Sequence, residues 1–179
     1  EQLEKMQGLV RQAMEEGALG LTDALIYTPA TFAKTPELIA LAKVSAQCGG
    51  IYTAHIRSEG DRFEEAIQET IDIAEASGAP AEIYHFKQAG RANWGKFDKA
   101  VAMIEAARKR GTRISANMYN YTAGATGLDA AMPSWVQAGG TQAWIARLKD
   151  PATRVKVKAE MDDPHPKTWE NLYAGAGPE

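Results

Sequence analysis

The chain has 179 residues, 45% of them hydrophobic and 24% charged, with a formal net charge of −3. That is the composition of one soluble globular domain with a sizeable core, and it weighs against disorder. A negative net charge without a basic cluster argues against nucleic acid as a partner, no apolar run approaches the roughly 20 residues a membrane span needs, and a single cysteine, Cys48, cannot close an internal disulfide, which fits the reducing cytoplasm.

The opening "EQLEKMQGLVRQAMEEGALGL" reads as a helix already under way, with no initiator methionine and no leader pattern. With the Pro/Gly-rich close "DDPHPKTWENLYAGAGPE", it gives the expectation of a segment of a longer protein. "EEGALGLTDALIY" (15–27) is the first copy of a grammar in which glycine ends a helix and a short apolar strand follows. "QCGGIYTAH" (47–55), "ASGAPAEIYH" (76–85) and "KRGTRISANMY" (109–119) repeat it.

Between these strands lie amphipathic helices. "TPELIALAKVSAQCG" (35–49) opens with Thr35 as cap and Pro36 in the first turn. Phe63, Ala66, Ile67, Ile71 and Ala74 share one face of 62–77, and Phe97, Val101, Ile104 and Ala107 share one face of 96–110. The unit recurs about every 30 residues, the size of a strand–helix step. The expected fold class is therefore α/β, with about four parallel βα units. These could belong to an open doubly wound sheet or to half of a (β/α)₈ TIM-type barrel. No G-x-G-x-x-G follows the first strand, which weakens a dinucleotide-binding sheet. Half a barrel would leave two sheet edges and an apolar inner face open, so self-association through those edges is expected.

After Tyr121 the grammar breaks. "TAGATGLDAAMPSWVQAGG" (122–140) reads as loop, and 141–161 as two helices split at Asp150-Pro151, with Asp150 capping the second. The expected division is a partial barrel over 1–122 and a loop and helical insertion over 123–179.

His55 and His85 lie one repeat apart, each read as the last residue of its strand. Thr53 and His55 then share a direction, as do Ile83 and His85, and both imidazoles emerge at the carboxyl edge, where α/β folds bind ligands. Two neutral imidazoles suit a zinc-type ion at about 2.0–2.1 Å, but a catalytic zinc takes at least three protein ligands. Packed, hydrogen-bonded strand-end histidines are the plain alternative. Lys87 could bind a carboxylate as a point charge, or simply face solvent. The Tyr119 hydroxyl could hydrogen-bond a carbonyl oxygen as charge develops on it. Tyr27 sits similarly after the first strand, and core packing is an alternative for both tyrosines. Arg57 and Glu59 could pair with each other or with Asp61 and orient the His55 imidazole from outside the ligand set. Asp61 could instead cap the following helix. Trp94 reads as packing, and His165 as an exposed loop residue.

"GGIYTAHIRSEGD", "IYHFKQAGRANWGK" and "NMYNYTAGATGL", with "EEGALGLTDALIYTP", are similar to the N-acyl-D-amino-acid deacylases, the D-aminoacylase group of the metal-dependent amidohydrolase superfamily. The resemblance runs over about residues 10–130. It implies a distorted (β/α)₈ barrel of which this chain carries strands four to seven, with zinc, one or two ions, at the strand ends. It implies that His55 and His85 are metal ligands, that Lys87 recognises substrate, and that Tyr27 and Tyr119 surround an N-acyl amino acid. The family's His-x-His pair, metal-binding cysteine and catalytic aspartate have no counterpart here, and Cys48 is not that cysteine. The segment alone is therefore expected to be inactive. Ala125 stands where the family commonly has serine. Two other readings remain: a lyase barrel with Lys87 forming a Schiff base, and a non-catalytic α/β module binding a small ligand.

Overall fold

The structure, a computed structural model, describes residues 1–176. Helix α1 (Gln2–Glu15) leads into β1 (Gly20–Ala24). Then α2 (Thr35–Gln47), β2 (Ile51–His55), α3 (Phe63–Ser77), β3 (Ala81–Ile83), α4 (Phe97–Lys109) and β4 (Ile114–Ala116) alternate. Each helix ends where the sequence supplies glycine. Gly78 takes the left-handed φ of 76° that other residues resist, and its N–H caps the Ala74 carbonyl. Thr35 is the first helical residue rather than the cap, and its hydroxyl donates to Glu69 instead.

All four strands are parallel and lie in the order β1-β2-β3-β4. An order that never reverses, with right-handed crossovers, puts every connecting helix on one face of the sheet. That is the barrel arrangement; a doubly wound sheet would reverse its order. Tyr52 and Ala54 of β2, Ala81 and Ile83 of β3 and Ile114 of β4 face the helices and pack on Phe63, Ile67 and Ile71 of α3 and Ala100, Ile104 and Ala107 of α4. Side chains the size of Phe63 and Ile67, both fully buried, contribute about 1.5–3 kcal/mol each.

The other face is polar, not apolar as expected. Thr22, Thr53, Glu82 and Ser115 occupy one rung across the four strands. The Thr53 hydroxyl donates to Tyr84 Oη at 2.9 Å, and Ser115 and Asn117 donate to the two oxygens of Glu82 at 3.1 and 2.6 Å. This network suits a wetted barrel interior near a site more than a dry core.

Beyond the sheet come α5 (Ser134–Gln137), α6 (Thr141–Lys149), α7 (Pro151–Met161) and α8 (Leu172–Ala176), with no further strand among the described residues. Asp150 caps α7 by accepting from the Thr153 N–H at 2.8 Å. Residues 177–179, the end of the expected insertion, lie outside the described residues. No described helix is long and apolar enough to cross a membrane.

Candidate metal centre

Strand β2 delivers His55 to the carboxyl edge as its last residue, with Thr53 on the same face. β3 does not do the same for His85. It stops at Ile83, whose side chain is fully buried against the helices, so an extended chain would send His85 that way too. The chain instead turns at His85, which takes φ 37°, the one positive value at a non-glycine residue among those described. Asn117 holds the turn: its Oδ1 accepts from the His85 N–H at 2.7 Å, and its carbonyl accepts from the Phe86 N–H at 2.8 Å. The turn brings the two imidazoles to 4.4 Å between centroids, edge to face. The expected meeting of His55 and His85 holds, by a different local route.

Glu59 completes the cluster. Its side chain is 7% exposed, and its Oε1 lies 2.9 Å from His85 Nδ1, 2.6 Å from Lys87 Nζ and 3.9 Å from His55 Nε2. One donor atom each from His55, Glu59 and His85 fall within 4.8 Å of one another. Glu59 is thus not an outside support for His55 but a member of the group. The signal for this in the sequence is the H-x-x-x-E spacing directly after a strand end.

The donors suit a metal ion. His55 Nε2 is buried and has no hydrogen-bond partner, a costly state that a coordinated cation relieves. Burial, then His85, then Lys87, pull the His55 pKa down to about 4, which keeps the ring neutral, the form that can ligate a metal ion. Two imidazoles and a carboxylate match the donor types that zinc accepts.

Lys87 is anchored by Glu59, by His85 Nδ1 at 3.1 Å and by the His85 carbonyl at 3.2 Å, with its Nζ 5.4 Å from the centre of the Tyr119 ring. Glu59 and the His85 carbonyl both accept from this nitrogen and fix its place, which fits a point-charge contact to a carboxylate better than Schiff-base chemistry. Tyr119 lies three residues beyond β4, its ring 6.4 Å from that of His85. The Tyr27 ring is 5.0 Å from His55, and its hydroxyl pairs with Thr126 at 2.7 Å. His55, His85, Lys87, Tyr27, Tyr119 and Ala125 all line one pocket of about 810 Å³.

Arg57 is not part of this group. Its guanidinium grips Glu69 at 2.8 and 3.0 Å and the carbonyls of Thr31 and Ala33 at 3.0 Å each, not Glu59 or Asp61. Asp61 does not cap α3; its carboxylate pairs with His165 Nδ1 at 2.6 Å, which holds its pKa below the usual range. His165 is exposed, as expected, yet it reaches back to the pocket rim. Trp94 is 63% exposed rather than packed, with the Arg91 guanidinium 5.9 Å from its ring centre.

No family model matches the chain. Individual proteins do. The chain is 36% identical over 121 residues, 68% of its length, to the N-acyl-D-glutamate deacylase of Alcaligenes xylosoxydans xylosoxydans, of which this covers 25%. It is 36% identical over 126 residues, 70% of its length, to the D-aminoacylase of the same organism, of which this covers 26%. It superimposes with a TM-score of 0.65 and 34% identity on the N-acyl-D-glutamate deacylase of Bordetella bronchiseptica, solved with zinc and a phosphonate mimic of the tetrahedral intermediate; 66% of this chain and 25% of that one are covered. The chain spans about a quarter of the length of these relatives. Its parallel sheet and helices match part of a TIM-barrel-like amidohydrolase.

Proposed function

We propose, for a chain related in sequence and fold to the N-acyl-D-amino-acid deacylases of the amidohydrolase superfamily, that it forms part of a zinc-dependent enzyme of that chemistry. The reaction is hydrolysis of the amide bond of an N-acyl-D-amino acid, giving a carboxylate and a free D-amino acid. The observation that carries this reading is the convergence of His55, Glu59 and His85 on one point at the sheet's carboxyl edge.

In this proposal His55, His85 and Glu59 hold the ion. Zinc at such a centre supplies Lewis acidity, polarising an acyl carbonyl and making water nucleophilic at neutral pH. Once Glu59 is committed to the metal, the Lys87 ammonium is free to take the substrate carboxylate. The Tyr119 hydroxyl donates to the acyl oxygen as negative charge grows there, and preorganised donors of this kind act chiefly on the transition state. Tyr27, braced on Thr126, walls the side of the pocket near His55. Ala125 leaves one wall without a hydroxyl where a polar contact would tighten substrate binding.

The division at residue 122, a cytoplasmic setting and self-association through the open edges of β1 and β4 belong to the same proposal. The test is hydrolysis of N-acetyl-D-methionine and N-acetyl-D-glutamate by the whole protein, with and without zinc. Activity that is selective for the D enantiomer and lost in His55→Ala is expected. Full activity after chelation, or in a His55→Ala, His85→Ala double variant, would sink the reading.

A further inference from the structure

We propose that Glu170, from the chain's far end, is a positioning residue for the metal centre, fixing the loop that presents Glu59. The inference rests on reading His55, Glu59 and His85 as the ligand set.

Glu59 sits on a short loop between β2 and α3, and much of its surroundings serves to fix that loop. Ser58 Oγ accepts from the N–H groups of Gly60 and Arg62, each at 3.2 Å. The Glu59 carbonyl accepts from the Ala89 N–H at 2.7 Å. Lys96 Nζ donates to the carbonyls of Gly60 and Asp61 at 3.2 and 2.7 Å. These contacts come from the loop itself and from the segment after β3. Glu170 adds one from beyond α7. Its carboxylate lies beside Gly60, in the loop that carries Glu59. Its Oε1 fills the space beside Gly60 so closely that a Cβ placed there would stand 2.6 Å away. Gly60 therefore has to lack a side chain for this carboxylate to reach the loop.

Glu170 is itself held from both sides. Trp169 is 5% exposed, and Asn171 Nδ2 donates to the carbonyls of Met161 and Asp163 at 2.8 and 2.7 Å. The carboxylate is thus delivered from a braced segment, as a support must be if it is to fix anything. The nearby Asp61–His165 pair spans the same two segments, but its side chains are 49% and 71% exposed, and water screening leaves such pairs little strength. Glu170, not His165, is the effective tie.

Support residues around metal ligands typically change metal affinity by about 10–100-fold when removed. The experiment is a cobalt(II) titration of the chain, read by visible absorption and by competition with a chelator. Glu170→Ala is expected to weaken cobalt binding by about tenfold or more and to alter the ligand-field bands, whereas Glu170→Gln, which keeps an oxygen beside Gly60, stays within about threefold of wild type. Gly60→Ala, whose new methyl displaces the carboxylate, is expected to behave like Glu170→Ala and carries the comparison should Glu170→Ala not fold. His165→Ala is expected to bind as wild type does. Wild-type affinity and spectrum in both Glu170→Ala and Gly60→Ala, with binding lost in His55→Ala, would overturn the role of Glu170 alone. Unchanged binding in His55→Ala, or no cobalt uptake by the wild-type chain, would overturn the metal-centre reading and this inference with it.

Discussion

Glu59 Oε1 stands 2.9 Å from His85 Nδ1, joining the loop after β2 to the turn after β3 through one buried carboxylate. The same oxygen is 2.6 Å from Lys87 Nζ, so it both completes the donor group and balances the lysine. Glu59→Gln keeps the shape and removes the charge. Zinc affinity, measured by chelator competition, is expected to fall about 10–100-fold. Unchanged affinity would show that the carboxylate only partners Lys87.

Arg57 acts one step further from the chemistry. It ties α3, through Glu69, to the backbone at Thr31 and Ala33, in the segment that follows Tyr27. Lysine keeps the charge and loses the fork. Arg57→Lys is expected to cost about 2–3 kcal/mol, because the half-buried Glu69 loses its paired contact. For a chain of this size that lowers Tm by roughly 5–10 °C in a thermal melt. A melt within a degree of wild type would mean that Glu69 finds other partners.

The helices, the strand order and the meeting of the two histidines were legible because they follow from periodicity and from the repeat. Phe63, Ile67 and Ile71 show their shared face in sequence and are buried together. His85 reaches His55 by a turn, not by strand alternation. Alternation along a strand assumes that the strand continues, and β3 ends two residues earlier, where the Asn117 contacts redirect the chain. The role of Glu59 depends on Lys87 and His85, 28 and 26 residues away, and no local pattern reports that convergence. The polar inner face is legible in Thr22, Thr53, Glu82 and Ser115, which alternate with the apolar set. Glu170 lies in a stretch with no periodicity, and only the tertiary contact with Gly60 gives it meaning.

Asp23 makes stability depend on pH in a direction opposite to that of most carboxylates. It accepts from Tyr52 Oη at 2.6 Å, while its Oδ1 is buried and unpartnered. Burial raises its pKa to about 6 from the ordinary 3.8, and the Tyr52 bond offsets only part of that. The folded state therefore holds a proton that the unfolded state releases between those two values. The contribution is fully present below about pH 4 and is lost as pH rises through about 6, a change of up to roughly 3 kcal/mol. Asp23→Asn stays neutral and is expected to remove this slope. Urea midpoints at pH 4.5 and pH 7 check it: the gain of the variant over wild type should be larger at pH 7. An equal gain at both pH values would contradict the assignment.

The isolated 179-residue chain is expected to bind zinc yet not turn over N-acetyl-D-methionine. Three donors can hold an ion, but catalysis needs an ordered open position, a group to move the proton and a site from which water is largely excluded. The inner face of this four-stranded sheet is wet: Thr22 and Ser115 are exposed, and Glu82 is tied up by Ser115 and Asn117 rather than aimed at the cluster. In such surroundings the field from Lys87 and the Tyr119 hydroxyl is screened, and charge developing on an acyl oxygen gains little from either. A closed barrel that shields the cluster from bulk water would change both conditions without altering one residue of this chain. The measurement is product formation by the purified chain, with zinc content determined on the same sample. Bound zinc with no turnover is the expected pair of results. Turnover that favours the D substrate, stops on chelation and is absent in His55→Ala would show that the described residues suffice, and that the wet face is no obstacle.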